Sequence, residues 1–262
     1  MSTSDQFLLA LQAYQEIQAD LHQEQQRLPR GGLSSKVESH GDRVTNTSSG
    51  SLLLGMAEDS LPLLLDLYNP APGPLLVAGD GGSGKTVFLQ SLAYASGLAD
   101  PGDIQFGVLT PFPEEWAAFE ALPHCLGIWP AYHPSATSFI SHLAGWAQAL
   151  RGTRQALLLL FDGFDLMTGS QVQSLNDFHW LLLHGPEGHI WPVISINPSR
   201  LAHLKTWLDY FHTRVLGQVK NSHIARVLVE NPKAGLVDLL PGVQFGLSQS
   251  GSWQKFWLSP CK

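Results

Sequence analysis

Gly79-Asp80-Gly81-Gly82-Ser83-Gly84-Lys85-Thr86 is the stretch that decides the fold of this chain. It matches the phosphate-loop pattern G-x-x-x-x-G-K-[ST]. The apolar stretch Pro74 to Ala78 runs directly into the loop, and Thr86 to Ala95 follows it with the composition of a helix. Because a strand, a glycine-rich loop and a helix in this order are the context in which the pattern is specific, we predict that the loop residues bind a nucleotide.

The residue types in the loop suit the phosphates of ATP. Gly81, Gly82 and Gly84 allow consecutive backbone N–H groups to turn toward one anion, and the N-terminus of the following helix adds its dipole. We expect Lys85 to bridge the β- and γ-phosphates and Thr86 to place its hydroxyl on Mg²⁺. The predicted cofactors are therefore ATP and Mg²⁺. The alternative is a glycine turn that matches the pattern by chance.

A second signal is the apolar stretch Ala156 to Phe161, which ends in Asp162. The acid at such a strand end holds magnesium in phosphate-loop enzymes, so we predict Asp162 and Thr86 as metal ligands. A turn cap is the alternative for Asp162. Gly163 follows where many such ATPases place a glutamate that polarises the attacking water, which leaves hydrolysis without an obvious base. Asp165 is either that base or a capping residue, and the sequence favours neither interpretation.

Further catalytic candidates follow the later strands. Asn197 comes directly after the predicted strand Ile190 to Ile196, and we predict that it senses the γ-phosphate. Arg200, Arg214 and Arg226 are the arginines that could reach a phosphate in their own subunit or in a neighbouring one, and the predicted catalytic set includes Arg214 and Arg226. Each of these arginines could instead be a surface or ion-pair residue.

Other polar residues are weaker candidates. Glu114 and Glu115 lie beyond the predicted strand Ile104 to Leu109, and we interpret them as surface acids rather than as the missing base. The eleven histidines are dispersed and show no ligand spacing, so no histidine metal site is predicted.

The order of the elements predicts an α/β fold. Apolar strands alternate with helices predicted at Ser135 to Leu150 and Gln171 to Leu183, which indicates a mainly parallel sheet covered by helices on both faces. Two strands joined by a polar turn are predicted between Leu52 and Leu67. A strand at Arg214 to Val219, a helix at Ser222 to Val229 and a hairpin of Val243 to Leu247 with Trp253 to Leu258 complete the prediction.

Three segments are predicted along the chain: an N-terminal helix over residues 1–28, a flexible linker over 29–50 and the ATPase domain over 51–262. The helix carries Phe7, Leu11, Tyr14, Gln18 and Leu21 at seam-like spacing. It either packs on its own domain or binds a partner protein or a second copy of the chain. The segment after Pro29 is rich in Gly, Ser, Thr and Asn, which is typical of a linker.

The amino-acid composition limits the classes of function that the chain can have. The formal net charge is -7, with 15 Lys+Arg against 22 Asp+Glu, so the chain has no global basic field for a nucleic acid backbone. Charged residues make up only 14%, which favours extensive burial or assembly. Cys125 and Cys261 are far apart, and no apolar run is long enough to span a membrane. We therefore expect a cytoplasmic protein.

Several later stretches resemble the FtsK/HerA family of motor ATPases. Leu122-Pro123-His124 looks like the "LPH" turn of that family, and Phe161 to Met167 is similar to its D-E-F-x-D-L-M element. His212 to Val215 and Ser222 to Leu228 resemble its late T-R strand and its S-R helix. The resemblance runs from about Leu52 to Leu258.

This resemblance implies a RecA-like P-loop core, a hexameric ring with ATP at the subunit interfaces, and a central pore that moves DNA or protein. Two features depart from the family pattern: Gly163 replaces the glutamate, and Thr110-Pro111-Phe112 replaces an Asp-Pro-Lys type segment. Two interpretations are therefore open. The chain is either an ATPase with slow or conditional hydrolysis or a nucleotide-binding assembly module without turnover. Asp162-Gly163-Phe164-Asp165 also resembles the acidic element of the STAND/NACHT signalling NTPases, which implies a switch as the rival function.

Overall fold

The computed structural model of the protein describes residues 50–149, 155–166, 175–200, 204–229 and 234–258. The predicted N-terminal helix lies outside the described residues, as do all but the last residue of the predicted linker. The same holds for the first residues of the helix predicted from Gln171.

The described residues form one ten-stranded mixed sheet with the strand order β2-β1-β10-β9-β8-β3-β7-β6-β4-β5. The strands are β1 (Ser51–Ala57), β2 (Pro62–Asp66), β3 (Leu75–Ala78), β4 (Ile104–Thr110), β5 (Cys125–Pro130), β6 (Ala156–Phe161), β7 (Ile190–Ile196), β8 (Thr213–Leu216), β9 (Gln244–Gln249) and β10 (Ser252–Trp257).

Within the described ranges, five α-helices and several 3₁₀ helices connect the strands. The α-helices are α1 (Lys85–Ser96), α2 (Pro134–Ala149), α3 (Leu175–His184), α4 (Leu204–Leu208) and α5 (Ser222–Leu228). The 3₁₀ helices that bear on the site are Pro113–Phe119, Phe164–Leu166 and Pro198–Arg200.

The six strands from β8 to β5 in the sheet order are parallel to one another. Every residue of β3, β6 and β7 is buried, which is why these strands are continuous apolar runs rather than alternating ones. Leu76 of β3 is paired with Ile194 on one side and with Arg214 on the other. The parallel pairing brings the carboxyl ends of β3, β6, β7 and β8 to one edge of the sheet.

Helices cover both faces of the parallel part. On one face, Leu76, Leu159 and Ile194 share a core cluster with Phe139 of α2 and Phe178 of α3. On the other face, α1 packs against the sheet through side chains that include Phe88, which is fully buried. Side chains alternate between the faces along each strand, so both faces of β3 contribute to the core.

The antiparallel strands extend the sheet beyond β8. β9 pairs with β8 and β10, and β1 pairs with β10 and β2. Phe88 of α1 contacts Phe245 and Phe256, with ring centroids 5.4 and 6.2 Å away. The helix that leaves the phosphate loop therefore also packs on the C-terminal hairpin.

The α/β fold with a mainly parallel sheet and a C-terminal hairpin is confirmed, with two local differences. β5 was not predicted. This edge strand is only partly buried, and Gly127 and Pro130 interrupt its short apolar stretch, so it differs from the continuous apolar runs of the central strands. The predicted strand Arg214 to Val219 is β8, which spans Thr213–Leu216. Gly217 follows it and lies against the phosphate loop, where a Cβ atom would be 3.1 Å from Oγ of Ser83.

Candidate active site

The loop between β3 and α1 is anchored by the two strands that flank β3. The Gly79 N–H donates to the carbonyl of Ile196 at 3.3 Å, and the Asp80 N–H donates to that of Gln218 at 2.9 Å. The Asp80 carboxylate also accepts a hydrogen bond from the Lys220 N–H at 2.8 Å. The loop is therefore fixed at the carboxyl end of the parallel sheet, where ligands bind in open α/β sheets.

The shape of the loop requires glycine at one position and leaves an open surface at others. Gly84 has φ 94°, and a Cβ atom there would lie 2.4 Å from Cα of Gly242. Gly81 and Gly82 are exposed, and a Cβ at either would meet nothing within 4 Å. No side chain caps the N-terminus of α1. The free N–H groups of this helix end suit an anion, as the sequence predicted.

Lys85 folds back onto the loop. Its ammonium donates to the carbonyl oxygens of Gly79 and Asp80, both at 2.9 Å. Burial lowers the pKa of Lys85, while the nearby carboxylates of Asp165, Asp162 and Asp80 oppose this shift in that order. The hydrogen bonds of the ammonium thus go to loop carbonyls, which the oxygens of a phosphate in the loop could replace as partners of this buried cation.

Asp162 is held rigidly at the end of β6. Its carboxylate accepts hydrogen bonds from the Ser195 hydroxyl at 2.7 Å and from the Trp116 indole N–H at 3.3 Å. The Ser195 oxygen in turn accepts the Gly163 N–H at 2.8 Å. Asp162 is 6% exposed. Ser195 and Trp116 were not predicted as site residues, although a serine in the apolar strand β7 was a visible signal for one of them.

These residues fit a magnesium ion of the kind that phosphate-loop enzymes use. Thr86 stands in the first turn of α1, and Asp162 supplies a buried carboxylate at the same edge of the sheet. No cluster of three or more protein carboxylate, histidine or cysteine ligands occurs among the described residues. Mg²⁺ typically binds through one or two protein ligands, substrate phosphates and water, so such a cluster is not needed.

Asp165 links the segment after β6 to the end of β7 through a hydrogen bond. One of its carboxylate oxygens accepts the Asn197 N–H at 2.7 Å, and the other has no hydrogen-bond partner and lies 4.0 Å from Nη1 of Arg200. The Asp165 side chain is only 2% exposed. The Asn197 side chain accepts the Ser199 N–H at 3.1 Å, which forms the turn that leads to Arg200. Asp165 and Asn197 are therefore brought together, with Arg200 beside them.

The other two candidate arginines lie elsewhere. Arg214 donates to the carbonyls of Phe211, Leu208 and Leu228 at 3.0, 3.2 and 3.0 Å. The Arg214 guanidinium therefore lies against the backbone at the ends of α4 and α5, and its role at a phosphate stays a prediction. Arg226 is exposed in the last turn of α5.

Gly163 has a conformational reason to be glycine. Its φ is 79°, in the left-handed region that side chains rarely adopt. A Cβ at this position would lie 3.3 Å from Cγ of Pro111 and 3.4 Å from Cδ1 of Leu166. A glutamate at this position would therefore be strained by the left-handed backbone.

Comparison with known proteins identifies the family that the site resembles. The sequence model of the FtsK/SpoIIIE family matches residues 37–161, which include the phosphate loop and β6. The resemblance to the FtsK/SpoIIIE family is confirmed. A search of curated proteins gave no match.

Solved structures of FtsK/SpoIIIE-like and related ATPases share the fold. ATPases 2 and 3 of Thermomonospora curvata EccC, in complex with a signal sequence peptide, match with a TM-score of 0.64 and 15% identity over 82% of this chain and 41% of that chain. The pCW3 conjugation coupling protein TcpA with ATPγS matches with a TM-score of 0.65 and 14% identity, over 84% of this chain and 69% of that chain.

A smaller protein matches along its whole length. The genome packaging NTPase of Sulfolobus turreted icosahedral virus 2, in complex with AMPPCP, has a TM-score of 0.51 and 11% identity over 73% of this chain and 99% of that chain. These similarities confirm the P-loop ATPase fold.

Within the described part of the FtsK/SpoIIIE-like chain, no helix is long and apolar enough to cross a membrane.

Ser195→Ala tests the buried bonds around Asp162. The substitution removes a partner from both the Asp162 carboxylate and the Gly163 N–H, so we expect the free energy of unfolding to fall by about 1–3 kcal/mol. Urea denaturation measures it. The control is Ser138→Ala on the exposed side of α2, expected within about 0.5 kcal/mol of the wild type. Equal stability of the two variants would contradict the assigned hydrogen bonds.

Gly163→Glu restores the glutamate that many related ATPases carry. Because a side chain in the left-handed region costs about 1–2 kcal/mol, we expect a loss of stability of this order. Gly163→Ala is the matched control, since it introduces the same backbone strain without a carboxylate. Urea denaturation of both variants measures the effect, and a Gly163→Glu protein as stable as the wild type would show that the turn does not require glycine.

Proposed function

We propose that this chain is an ATPase that binds Mg²⁺-ATP at the phosphate loop and hydrolyses it. The observation that carries the proposal is the position of the Lys85 ammonium, which lies on the loop carbonyls of Gly79 and Asp80 beside an uncapped helix N-terminus. Similar folds in the conjugation coupling protein and the packaging NTPase have ATPγS and AMPPCP bound, which supports a nucleoside triphosphate as ligand.

Each site residue has a proposed task. The backbone N–H groups of Gly81 to Thr86 surround the phosphates, and Lys85 exchanges its two loop carbonyls for phosphate oxygens. Thr86 and, through water, Asp162 would hold Mg²⁺, which neutralises the charge on the phosphates when it is bound. Asp165 positions Asn197 and Arg200 at the γ-phosphate end of the site. One oxygen of the buried Asp165 carboxylate accepts the Asn197 N–H, which supports the capping role among its two predicted interpretations.

We further propose that the ATPase works as an oligomer that moves DNA or protein. Support comes from the match to the FtsK/SpoIIIE family and from the similar folds of a secretion ATPase, a conjugation coupling protein and a packaging NTPase. Arg200 at the site and the exposed Arg226 are the proposed sources of phosphate-binding charge within and between subunits. The family match favours this proposal over a STAND/NACHT-like switch.

A nucleotide-binding assembly module is the second candidate function. Gly163 favours it, because the side chain that most often activates the attacking water is absent there and the local conformation disfavours restoring it. In this alternative, ATP binding would hold subunits together without turnover.

Lys85→Ala and Asp162→Asn separate binding from hydrolysis. A charge-assisted hydrogen bond contributes about 1.5–3 kcal/mol, so we expect Lys85→Ala to weaken Mg²⁺-ATP binding by about 10- to 100-fold. Asp162→Asn should spare affinity more than turnover. Titration with a fluorescent ATP analogue and phosphate release measure the two properties, with and without DNA.

Lys205→Ala, an exposed substitution on α4, is the control and should match the wild type in both assays. Mass photometry with Mg²⁺-ATP measures assembly in parallel. Turnover by an oligomer that Lys85→Ala abolishes would support the motor ATPase. Tight binding without turnover would favour the assembly module, and affinity unchanged by Lys85→Ala would contradict the site.

A further inference from the structure

Hydrolysis at the proposed site requires a group that accepts the proton of the attacking water. Gly163 has no side chain. The Asp165 side chain is 2% exposed, and one of its carboxylate oxygens accepts the Asn197 N–H while the other lies 4.0 Å from Nη1 of Arg200. A base must reach water at the γ-phosphate end of the site, which favours an acid more exposed than Asp165. Other acids lie at the same edge of the sheet.

The 3₁₀ helix Pro113–Phe119 lies at that edge. It follows β4, which is parallel to β6 and pairs with it up to Leu109 and Phe161. The strands therefore end side by side, and the segment after β4 emerges next to the segment that carries Asp162. Thr110 at the end of β4 is fully buried, whereas Glu114 and Glu115 are exposed.

Two contacts tie the segment around Glu115 to the proposed metal ligand and to the helix of the phosphate loop. The indole of Trp116, the next residue, is fully buried and donates to the Asp162 carboxylate at 3.3 Å. The backbone carbonyl of Glu115 itself accepts a hydrogen bond from Nε2 of Gln90 on α1 at 2.9 Å. Gln90 lies about one helical turn beyond Lys85 and Thr86. The backbone of Glu115 is thus tied to both halves of the site.

The Glu115 carboxylate has properties that suit a base. It is exposed, in contrast to the carboxylate of Asp165, so water reaches it. Partial burial raises the pKa of Glu115, and the negative charges of Asp162 and Glu114 raise it further. A carboxylate whose pKa is raised accepts a proton more readily than an ordinary glutamate.

We propose that Glu115 is the general base of ATP hydrolysis and replaces the glutamate that Gly163 lacks. This inference rests on the proposed ATPase function. The carboxylate accepts one proton from water as the water oxygen forms a bond to the γ-phosphorus. The bond between the γ-phosphorus and the β,γ-bridging oxygen breaks, and its electron pair leaves with ADP. The proton on Glu115 then returns to solvent, which completes the release of ADP and inorganic phosphate.

Glu115→Gln tests the proposal, with Glu114→Gln as the matched control from the same 3₁₀ helix. A general base typically contributes about 10²- to 10⁴-fold to the rate, so we expect kcat of Glu115→Gln to fall within this range. Its affinity for Mg²⁺-ATP should stay within about threefold of the wild type, because the base acts on water rather than on the phosphates. Glu114→Gln should keep kcat within about twofold.

Two measurements distinguish loss of chemistry from loss of structure. Urea denaturation should give the same midpoint for both glutamine variants, and the Glu115→Gln protein should retain unhydrolysed ATP after rapid gel filtration. A Glu115→Gln protein with wild-type kcat would overturn the assignment of the base and leave the ATPase proposal intact. A wild-type protein without turnover, alone and with DNA, would overturn the ATPase proposal and this inference together.

Discussion

Parallel hydrogen bonding of β3 with β7 on one side and β8 on the other determines where every candidate residue lies. The phosphate loop takes its anchors from the ends of these two neighbours, through the carbonyls of Ile196 and Gln218. β6 lies beside β7, so the Ser195 hydroxyl of one strand can hold the Asp162 carboxylate of the next. The position of the site thus depends on the strands that meet at this edge of the sheet and not on the phosphate loop alone.

Features that depend on adjacent residues could be predicted from the sequence. A glycine loop between an apolar strand and a helix, and an acid at the end of a second apolar strand, are patterns of adjacent residues, and they predicted the fold and the phosphate loop. Contacts between distant segments could not be predicted in this way. Trp116 and Asp162 are 46 residues apart, and only the pairing of β4 with β6 makes them neighbours. Similarly, the sequence made Arg214 a candidate phosphate ligand. In the structure its guanidinium donates to backbone carbonyls at the ends of two helices and in a turn.

The backbone conformation of Gly163 determines which groups lie next to Asp162. Its left-handed turn directs the Gly163 N–H to Ser195 and so stabilises the carboxylate at the proposed metal position. The same turn leaves no side chain after Asp162. The base proposed in its place, Glu115, lies after β4, in a segment whose Trp116 indole bonds Asp162 and whose Glu115 carbonyl accepts a bond from Gln90. The residue types after β6 alone do not point to this proposed base.

Hydrogen–deuterium exchange with a non-hydrolysable ATP analogue and Mg²⁺ tests the central claim most directly, because the proposed ligands are backbone amides. We expect saturating nucleotide to slow exchange in the loop from Gly79 to Thr86, with a smaller effect around Asp162. Segments at the opposite end of the sheet, such as the turn between β9 and β10, should be unchanged. Unchanged exchange in the loop at saturating nucleotide would contradict the assignment of the phosphate site.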